Sequence, residues 1–198
     1  FPGIPTARQA GEEAFFDDVL RTDPDLPTWV GELYLETHRG TYTTHGEIKR
    51  ANRKNELLLR EAEIWSTLAS GLGIEIDSAP LRKAWSTLLL HQFHDILPGS
   101  SIGEVYAEAA EDHTRIAQTA DRVGAAALNA LVGEIGTPSD LVVFNSLPWE
   151  RCDIATAAFH DVDGSLEVVL PDGQAVPAQI IARGDEGARI AFALDAVP

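Results

Sequence analysis

A helical repeat in residues 44–72 is the feature that most restricts how this chain can fold. Apolar residues recur there at alternating spacings of three and four, and one polar residue, Asn55, lies among them. This spacing places all of them on one face of a helix, which must pack against another apolar surface. Asn55 either sets the register of that packing or pairs with another buried polar group. The predicted buried face comprises Ile48, Ala51, Asn55, Leu58, Ala62, Trp65, Ala69 and Leu72.

Two more helical patterns follow after short connections. Residues 78–94 begin with a candidate N-cap, Ser78, and carry Pro80 in the first turn. Ser101 and Glu104 have the spacing of a capping box, which predicts a third helix that ends near Gly133. Three amphipathic helices with short connections predict an antiparallel three-helix bundle over residues 44–134. The apolar face of the second helix comprises Leu81, Ala84, Trp85, Leu88 and Leu89.

The apolar pattern changes beyond Pro138 from a period of about 3.6 to a period of 2. Short alternating segments are separated there by Asn, Asp and Gly residues that favour tight turns. They predict an antiparallel, β-sandwich-like region over residues 138–198. The predicted strands are residues 141–144, 153–157, 166–170, 176–181 and 188–192.

The first 43 residues show a weaker pattern. A short helix is predicted before Pro24, since proline cannot lie inside a helix. Residues 29–36 alternate as a strand does, and a turn over residues 37–42 carries His38 and Arg39. Polar residues just beyond a strand are common in the active sites of α/β enzymes, although an ordinary surface turn fits this stretch equally well.

Charge and cysteine content exclude several classes of partner. The chain has 15 basic and 31 acidic residues, which give a net charge of −16. Such a chain repels phosphate backbones and anionic lipids, so we expect neither a nucleic-acid nor a membrane partner. The single cysteine, Cys152, cannot form an internal disulfide and is expected to be inert. A reducing, cytoplasmic location is therefore predicted.

Polar residues near the end of the second predicted helix form the candidate site. His91, His94 and Asp95 precede the helix-breaking pair Pro98–Gly99. Imidazole and carboxylate groups are the usual ligands of zinc and are also common in sugar sites. By spacing alone, a core helix with polar residues near its end is an equally good interpretation. For His91, one turn before His94, simple packing or solvent contact is the preferred interpretation.

Three ordered blocks of the sequence resemble glycoside hydrolase family 38, the α-mannosidases. The blocks are residues 26–44 with Lys49, Asn52, Arg53 and Glu56 downstream, residues 92–102 with Val105 and Tyr106, and residues 143–151. The resemblance implies an α/β barrel, a three-helix bundle and large β domains. Residues 1–43 would then be the C-terminal elements of the barrel, residues 44–134 the middle bundle, and residues 138–198 the start of a β domain. The predicted fold class is α+β with these parts in that order.

The resemblance also implies an activity and a set of site residues. The family hydrolyses terminal α-D-mannose residues of oligosaccharides by a retaining mechanism with one Zn²⁺ ion. By motif position His94 would be a zinc ligand, whereas Asp95, His38 and Arg39 would contact the sugar. The chain has no His-x-Asp pair of the expected kind. We therefore expect the nucleophile and the acid/base residue upstream of Phe1, and no catalytic residue in this chain.

Two functional hypotheses follow. In the first, the chain is an internal piece of a zinc-dependent α-mannosidase, inactive alone, and its partners are a mannose-containing oligosaccharide and the remaining domains of the same polypeptide. Self-association into a homo-oligomer is left open. In the second, the chain is a non-enzymatic module in which the bundle and the β region bind a protein or a carbohydrate. The first hypothesis is preferred, because the three ordered blocks support it. The apolar face of the first bundle helix and the missing catalytic set motivate the second.

Overall fold

The computed structural model describes residues 3–22, 25–31, 36–135, 141–160, 167–184 and 187–197. The chain divides into two units, Phe1–Tyr42 and Thr43–Pro198. The first unit contains helix α1, Glu12–Thr22, and a 3-10 helix, Glu36–Tyr42. The described part of the second contains three helices, α2 (Gly46–Gly71), α3 (Ala79–His91) and α4 (Gly103–Ile135), followed by short strands. Within the described residues, no helix is long and apolar enough to span a membrane.

The first unit confirms one sequence prediction and corrects another. Helix α1 forms where the short helical pattern predicted it, and Asp18 is paired on its surface with Arg8 and Arg21. The turn predicted over residues 37–42 is wrong, because these residues belong to the 3-10 helix. Of the strand predicted over residues 29–36, residues 32–35 lie outside the described part of the chain, and Glu36 begins the 3-10 helix.

The three helices of the second unit form the predicted antiparallel bundle. Ile48 at the start of α2 packs with Tyr106 at the start of α4, and Ala69 near the end of α2 packs with Leu131 near the end of α4. Helices α2 and α4 therefore run in the same direction, and α3 returns between them in the opposite one. The central layer of the core joins all three helices and contains Leu59, Ala62, Leu81, Ala84, Leu88, Ile116, Ala120 and Val123.

The buried face of α2 differs in part from the predicted one. Leu72 is 63% exposed, and Ala51 and Leu58 are only partly buried. Asn52 and Leu59, one position further along the helix, are buried in their place. Because α2 packs against both α3 and α4, its buried face is wider than a two-helix contact and turns toward α3. The predicted core position of Trp65 is confirmed, whereas Trp85 is half-buried and donates its indole N–H to Glu63.

Both ends of the connection between α3 and α4 were predicted incorrectly. Helix α3 ends at His91, three residues before the predicted end, so His94 and Asp95 lie in the following loop. Helix α4 begins at Gly103, and the backbone N–H of Ser101 donates to the Tyr106 hydroxyl, so the predicted capping box does not form. Ser78 does occupy the N-cap position of α3, without a side-chain cap hydrogen bond.

The β region is antiparallel, as predicted, and its described residues form two small sheets. Strands β1 (Arg151–Phe159), β5 (Gly187–Val197) and β4 (Ala178–Gly184) form one sheet in the order β1-β5-β4. Strands β2 (Val168–Val169) and β3 (Ala175–Val176) form the other. Ala188, Ile190 and Phe192 alternate along β5 and are buried, which gives the larger sheet one apolar face.

Two predicted strands are corrected. The strand predicted over residues 176–181 is divided at Pro177, and its two parts belong to different sheets. Proline has no N–H to donate to a strand ladder, which accounts for the break. Residues 141–144 are irregular, and the Phe144 ring packs edge-on against Trp65 with centroids 5.5 Å apart. The boundaries of the three predicted domains, at residues 43 and 134–138, stay a prediction.

We expect Leu59→Ala to lower the free energy of unfolding by about 2–5 kcal/mol, because it leaves a cavity at a completely buried position of α2. The matched control is Leu57→Ala on the same helix, where the side chain is 44% exposed and the change should stay within about 0.5 kcal/mol. Urea denaturation followed by far-UV circular dichroism measures both. Equal losses in the two variants would contradict the described core.

Candidate functional site

The candidate site lies on residues 92–101, which we call the His94 loop. The loop begins where α3 ends and consists of successive tight turns. The N–H groups of Ile96 and Leu97 donate to the carbonyl of Phe93 at 2.9 and 3.1 Å, and that of Gly99 donates to Ile96 at 3.1 Å. The carbonyls of Asp95, Ile96 and Leu97 are contacted by side chains of neighbouring helices.

His94 and Asp95 are adjacent and exposed on this loop. Nε2 of His94 lies 3.5 Å from Oδ2 of Asp95, and the two side chains are 78% and 56% exposed. The Ser100 hydroxyl donates to Oδ1 of Asp95 at 3.3 Å. The His94 ring also lies against the Phe93 ring, with centroids 4.1 Å apart. The loop therefore presents an imidazole and a carboxylate together at the surface.

This pair fits part of a zinc site. Neutral imidazole and carboxylate are both zinc ligands, and protein zinc sites normally need at least three such groups. No group of three or more His, Cys, Asp or Glu residues that could hold a metal ion occurs within the described ranges. His94 and Asp95 can thus supply one or two ligands, and the other ligands would have to come from elsewhere.

Lys49 of α2 anchors the loop from one side. Its Nζ donates to the backbone carbonyls of Leu97 at 2.8 Å and Thr44 at 2.6 Å. Partial burial lowers the pKa of the Lys49 ammonium group below its ordinary value. Gly99 also approaches Thr44 closely: a Cβ at this position would lie 2.9 Å from the Thr44 carbonyl oxygen. The loop is therefore held against the start of α2.

Tyr106 of α4 anchors the loop from the other side. Its hydroxyl accepts the N–H of Ser101 at 2.8 Å and lies 3.4 Å from the carbonyl oxygens of both Asp95 and Ile96, to either of which it donates. The Tyr106 ring stacks on His45, with centroids 3.8 Å apart. His45 precedes α2 and has a positive φ of 49°. One tyrosine thus joins the loop to the starts of α2 and α4.

Gln92 fixes the first residue of the loop. Its side-chain amide donates to Asn52 at 3.1 Å and to Glu56 at 2.9 Å. Both acceptors lie on α2, one turn apart, so the amide bridges two turns of that helix. Glu56 also pairs with Arg53 on the surface of α2 at 3.3 Å.

His38 and Arg39 lie in the 3-10 helix of the first unit and are exposed. The Thr41 hydroxyl donates to the His38 carbonyl at 2.7 Å, which stabilises the helical turn. His94 and Asp95 belong to the second unit. That all four residues line one sugar pocket stays a prediction.

A second polar cluster is buried inside the bundle. Asn55 donates to Nδ1 and to the carbonyl of His113, each at 3.0 Å, so the pairing expected for Asn55 is confirmed. His91 is also buried, as the packing interpretation predicted, and its Nε2–H donates to Asp112 at 2.9 Å. The rings of His91 and His113 lie 5.1 Å apart. Nδ1 of His91 and Nε2 of His113 have no hydrogen-bond partner among the described residues.

Burial and neighbouring charges shift the pKa values of this cluster. Burial lowers the pKa of His113, and His91 lowers it further, while Asp112 acts in the opposite direction. Burial acts to raise the pKa of the Asp112 carboxyl, but hydrogen bonds from Arg115 and His91 outweigh burial, so that pKa lies below its ordinary value. The cluster therefore favours a neutral His113 beside an ionised Asp112.

The sequence of the bundle matches a known family. The sequence profile described as the alpha mannosidase middle domain matches residues 36–131, a range that includes the His94 loop and all of the buried polar cluster. The human protein named Alpha-mannosidase 2C1 is 39% identical over 155 residues, which cover 77% of this chain and 15% of the human one. The chain belongs to the α-mannosidases of glycoside hydrolase family 38.

A yeast relative agrees with this assignment, and a solved structure has the same fold. The Alpha-mannosidase of Saccharomyces cerevisiae is 44% identical over 100 residues, which cover 48% of this chain and 9% of the yeast one. The crystal structure of an alpha-mannosidase from Enterococcus faecalis V583 has the same fold, with a TM-score of 0.65 and 18% identity over 92% of this chain and 26% of that one. The chain thus spans a small part of the length of the proteins that it matches.

Sequence reasoning assigned no role to several residues that build the site. Lys49, Gln92 and Tyr106 lie in the blocks that resemble the family, but their spacing does not show that they meet at one loop. His113 and Asp112 were missed as well. His113 falls at helical spacing between Ala109 and Ile116, so periodicity alone could have placed it in the core.

We expect Gly99→Ala to destabilise the second unit more than Gly173→Ala, by about 1–3 kcal/mol of unfolding free energy. Both glycines have positive φ angles, 94° and 86°, so both substitutions strain the backbone. Only at Gly99 does the added Cβ also meet Thr44, whereas at Gly173 no described residue lies within 4 Å. Urea denaturation of the helical signal compares the two. A Gly99→Ala variant as stable as Gly173→Ala would contradict the close contact with Thr44.

We expect acid to weaken the bundle through His113. Its lowered pKa means that the unfolded state binds the proton more readily, so stability falls as the pH drops below the unfolded-state value of about 6.5. The contribution of Asp112, whose pKa is also lowered, is lost in a separate range below about pH 4. His113→Gln should therefore reduce the slope of unfolding free energy against pH between about pH 7 and pH 5.

The control for this measurement is Thr114→Ala, which changes an exposed neighbour on α4 and removes no titrating group. Urea denaturation at constant ionic strength gives the slope for each variant. If His113→Gln kept the wild-type slope while Thr114→Ala behaved as expected, protonation of His113 would not be the cause.

Proposed function

We propose that this chain is the middle portion of a zinc-dependent, retaining α-mannosidase that hydrolyses terminal α-D-mannose residues of oligosaccharides. The observation that carries the proposal is the exposed His94–Asp95 pair, which lies inside the part of the chain that matches the α-mannosidase middle domain. An exposed imidazole next to a carboxylate, on a loop held at three points, suits ligand binding better than a role in folding.

In this proposal His94 supplies one zinc ligand, and the imidazole must be neutral to bind. Bound zinc would supply an electrophilic centre that holds adjacent sugar hydroxyls. Asp95, oriented by the Ser100 hydroxyl, accepts hydrogen bonds from the sugar. His38 and Arg39 are the further residues for which the family resemblance implies sugar contacts, and both are exposed.

The nucleophile, the acid/base group and the other zinc ligands are assigned to other domains of the α-mannosidase. A retaining glycosidase needs two carboxyl groups about 5 Å apart, one as nucleophile and one as acid/base. We assign neither role to a residue of this chain. The other domains of the α-mannosidase would supply both carboxyl groups and the missing zinc ligands. The net charge of −16 is compatible with a neutral oligosaccharide. The cytoplasmic location stays a prediction.

We expect the 198-residue chain alone to show no turnover of an aryl α-mannoside with added zinc, because we assign both catalytic carboxyl groups to other domains. The α-mannosidase that contains this chain should hydrolyse the same substrate under the same conditions. Release of the aryl group, measured by absorbance, distinguishes the two. Clear turnover by the 198-residue chain would contradict the assignment of both catalytic carboxyls to other domains.

We expect His94→Ala, made in that α-mannosidase, to lower zinc content and activity together, since one zinc ligand is lost. The control is His160→Ala, which removes an exposed histidine at the end of the first sheet strand. Metal content is measured by mass spectrometry after gel filtration, and activity with the aryl mannoside. Unchanged zinc content in His94→Ala would remove His94 from the set of ligands.

A further inference from the structure

Three successive carbonyl groups follow His94, and each is contacted by a side chain from a neighbouring helix. The carbonyls of Asp95 and Ile96 face the Tyr106 hydroxyl, and the carbonyl of Leu97 accepts from Lys49. The Leu97 side chain packs into a small core cluster with Ile48, Tyr106 and Ala109. The backbone directly after His94 is therefore held by α2 and α4 rather than by the loop alone.

The side chains of the candidate site receive much less support. His94 and Asp95 are mostly exposed, and their nearest described polar contacts are each other and Ser100. The described ring contact of the His94 imidazole is with Phe93 of the same loop, so its position depends on the backbone of that loop. A metal ligand has to lie within a few tenths of an ångström of its ideal position.

We propose that Lys49 and Tyr106 are positioning residues for His94, and that they set its affinity for zinc without touching the metal or the sugar. The inference rests on the zinc role of His94 proposed above. Lys49 acts through the Leu97 carbonyl, and Tyr106 acts through Asp95, Ile96 and Ser101. Losing a group that orients a metal ligand typically weakens metal binding by about 10- to 100-fold.

The first experiment measures zinc affinity in the α-mannosidase that contains this chain, by competition with a chromogenic chelator. Lys49→Met keeps a long apolar side chain but donates no hydrogen bond, so zinc should bind about tenfold more weakly. Lys49→Arg should restore most of the affinity, because its guanidinium group can donate to the same carbonyls. The matched control is Lys54→Met, which removes the same charge from an exposed position of α2. Its zinc affinity should equal that of the wild type.

The second experiment follows the loop itself by amide hydrogen exchange of the 198-residue chain without metal. Tyr106→Phe removes only the hydroxyl and keeps the ring that stacks on His45. Exchange should become faster at Ser101, whose N–H loses its acceptor, and at Ile96 and Leu97 in the loosened loop. Amides in the middle of α4 should keep their exchange rates, which shows that the bundle remains folded.

The outcomes separate this inference from the proposed function. If His94→Ala loses zinc while Lys49→Met and Tyr106→Phe bind it as tightly as the wild type, the positioning role is overturned and the zinc role stands. If His94→Ala keeps its zinc, the zinc role fails and the positioning role fails with it. If Lys49→Met does not fold, Tyr106→Phe decides, since it removes a single oxygen atom. Weaker zinc binding in Tyr106→Phe, with unchanged helical exchange, supports the inference.

Discussion

Small side chains bring α2 and α4 close together, and the rest of the second unit is arranged around that contact. Ala62 of α2 and Ala120 and Ala127 of α4 are almost completely buried, and Gly124 lies directly against Ala62. Small residues at a helix contact allow the two backbones to approach closely. Because α2 and α4 run in the same direction, the chain must return between them, and α3 forms this return while covering the groove beside both.

The same arrangement determines where the candidate site lies. The starts of α2 and α4 meet at one end of the bundle, and the antiparallel α3 ends there too. Lys49 and Tyr106 therefore reach the loop that follows α3 from two directions. An irregular loop with exposed polar side chains would otherwise be mobile. Here its backbone carbonyls provide hydrogen-bond acceptors, and the side chains of His94 and Asp95 remain available for a ligand.

The centre of the bundle contains buried polar groups, although a fully apolar core would avoid the cost of burying them. Asn55 pairs with His113, and His91 pairs with Asp112, but each histidine retains a buried nitrogen with no partner among the described residues. Such groups cost stability, and a buried polar pair can define one register of the helices over others. The helical spacing of α2 predicted that Asn55 would be inside. That His113 is the partner of Asn55 could not be predicted. The two residues lie 58 positions apart in sequence, and their pairing depends on how α2 and α4 are aligned.

The sequence by itself determined the presence of three helices, an antiparallel β region and a break in the chain near His94 and Asp95. Each of these follows from local periodicity, from proline and glycine, or from a resemblance carried by contiguous residues. Only the tertiary structure decided which side of α2 is buried, that Pro177 separates two sheets, and that residues 141–144 pack irregularly near Trp65. It also decided that Lys49 and Tyr106 meet at the same loop. Periodicity reports the geometry of one element, whereas these features depend on which distant element supplies the neighbouring atoms.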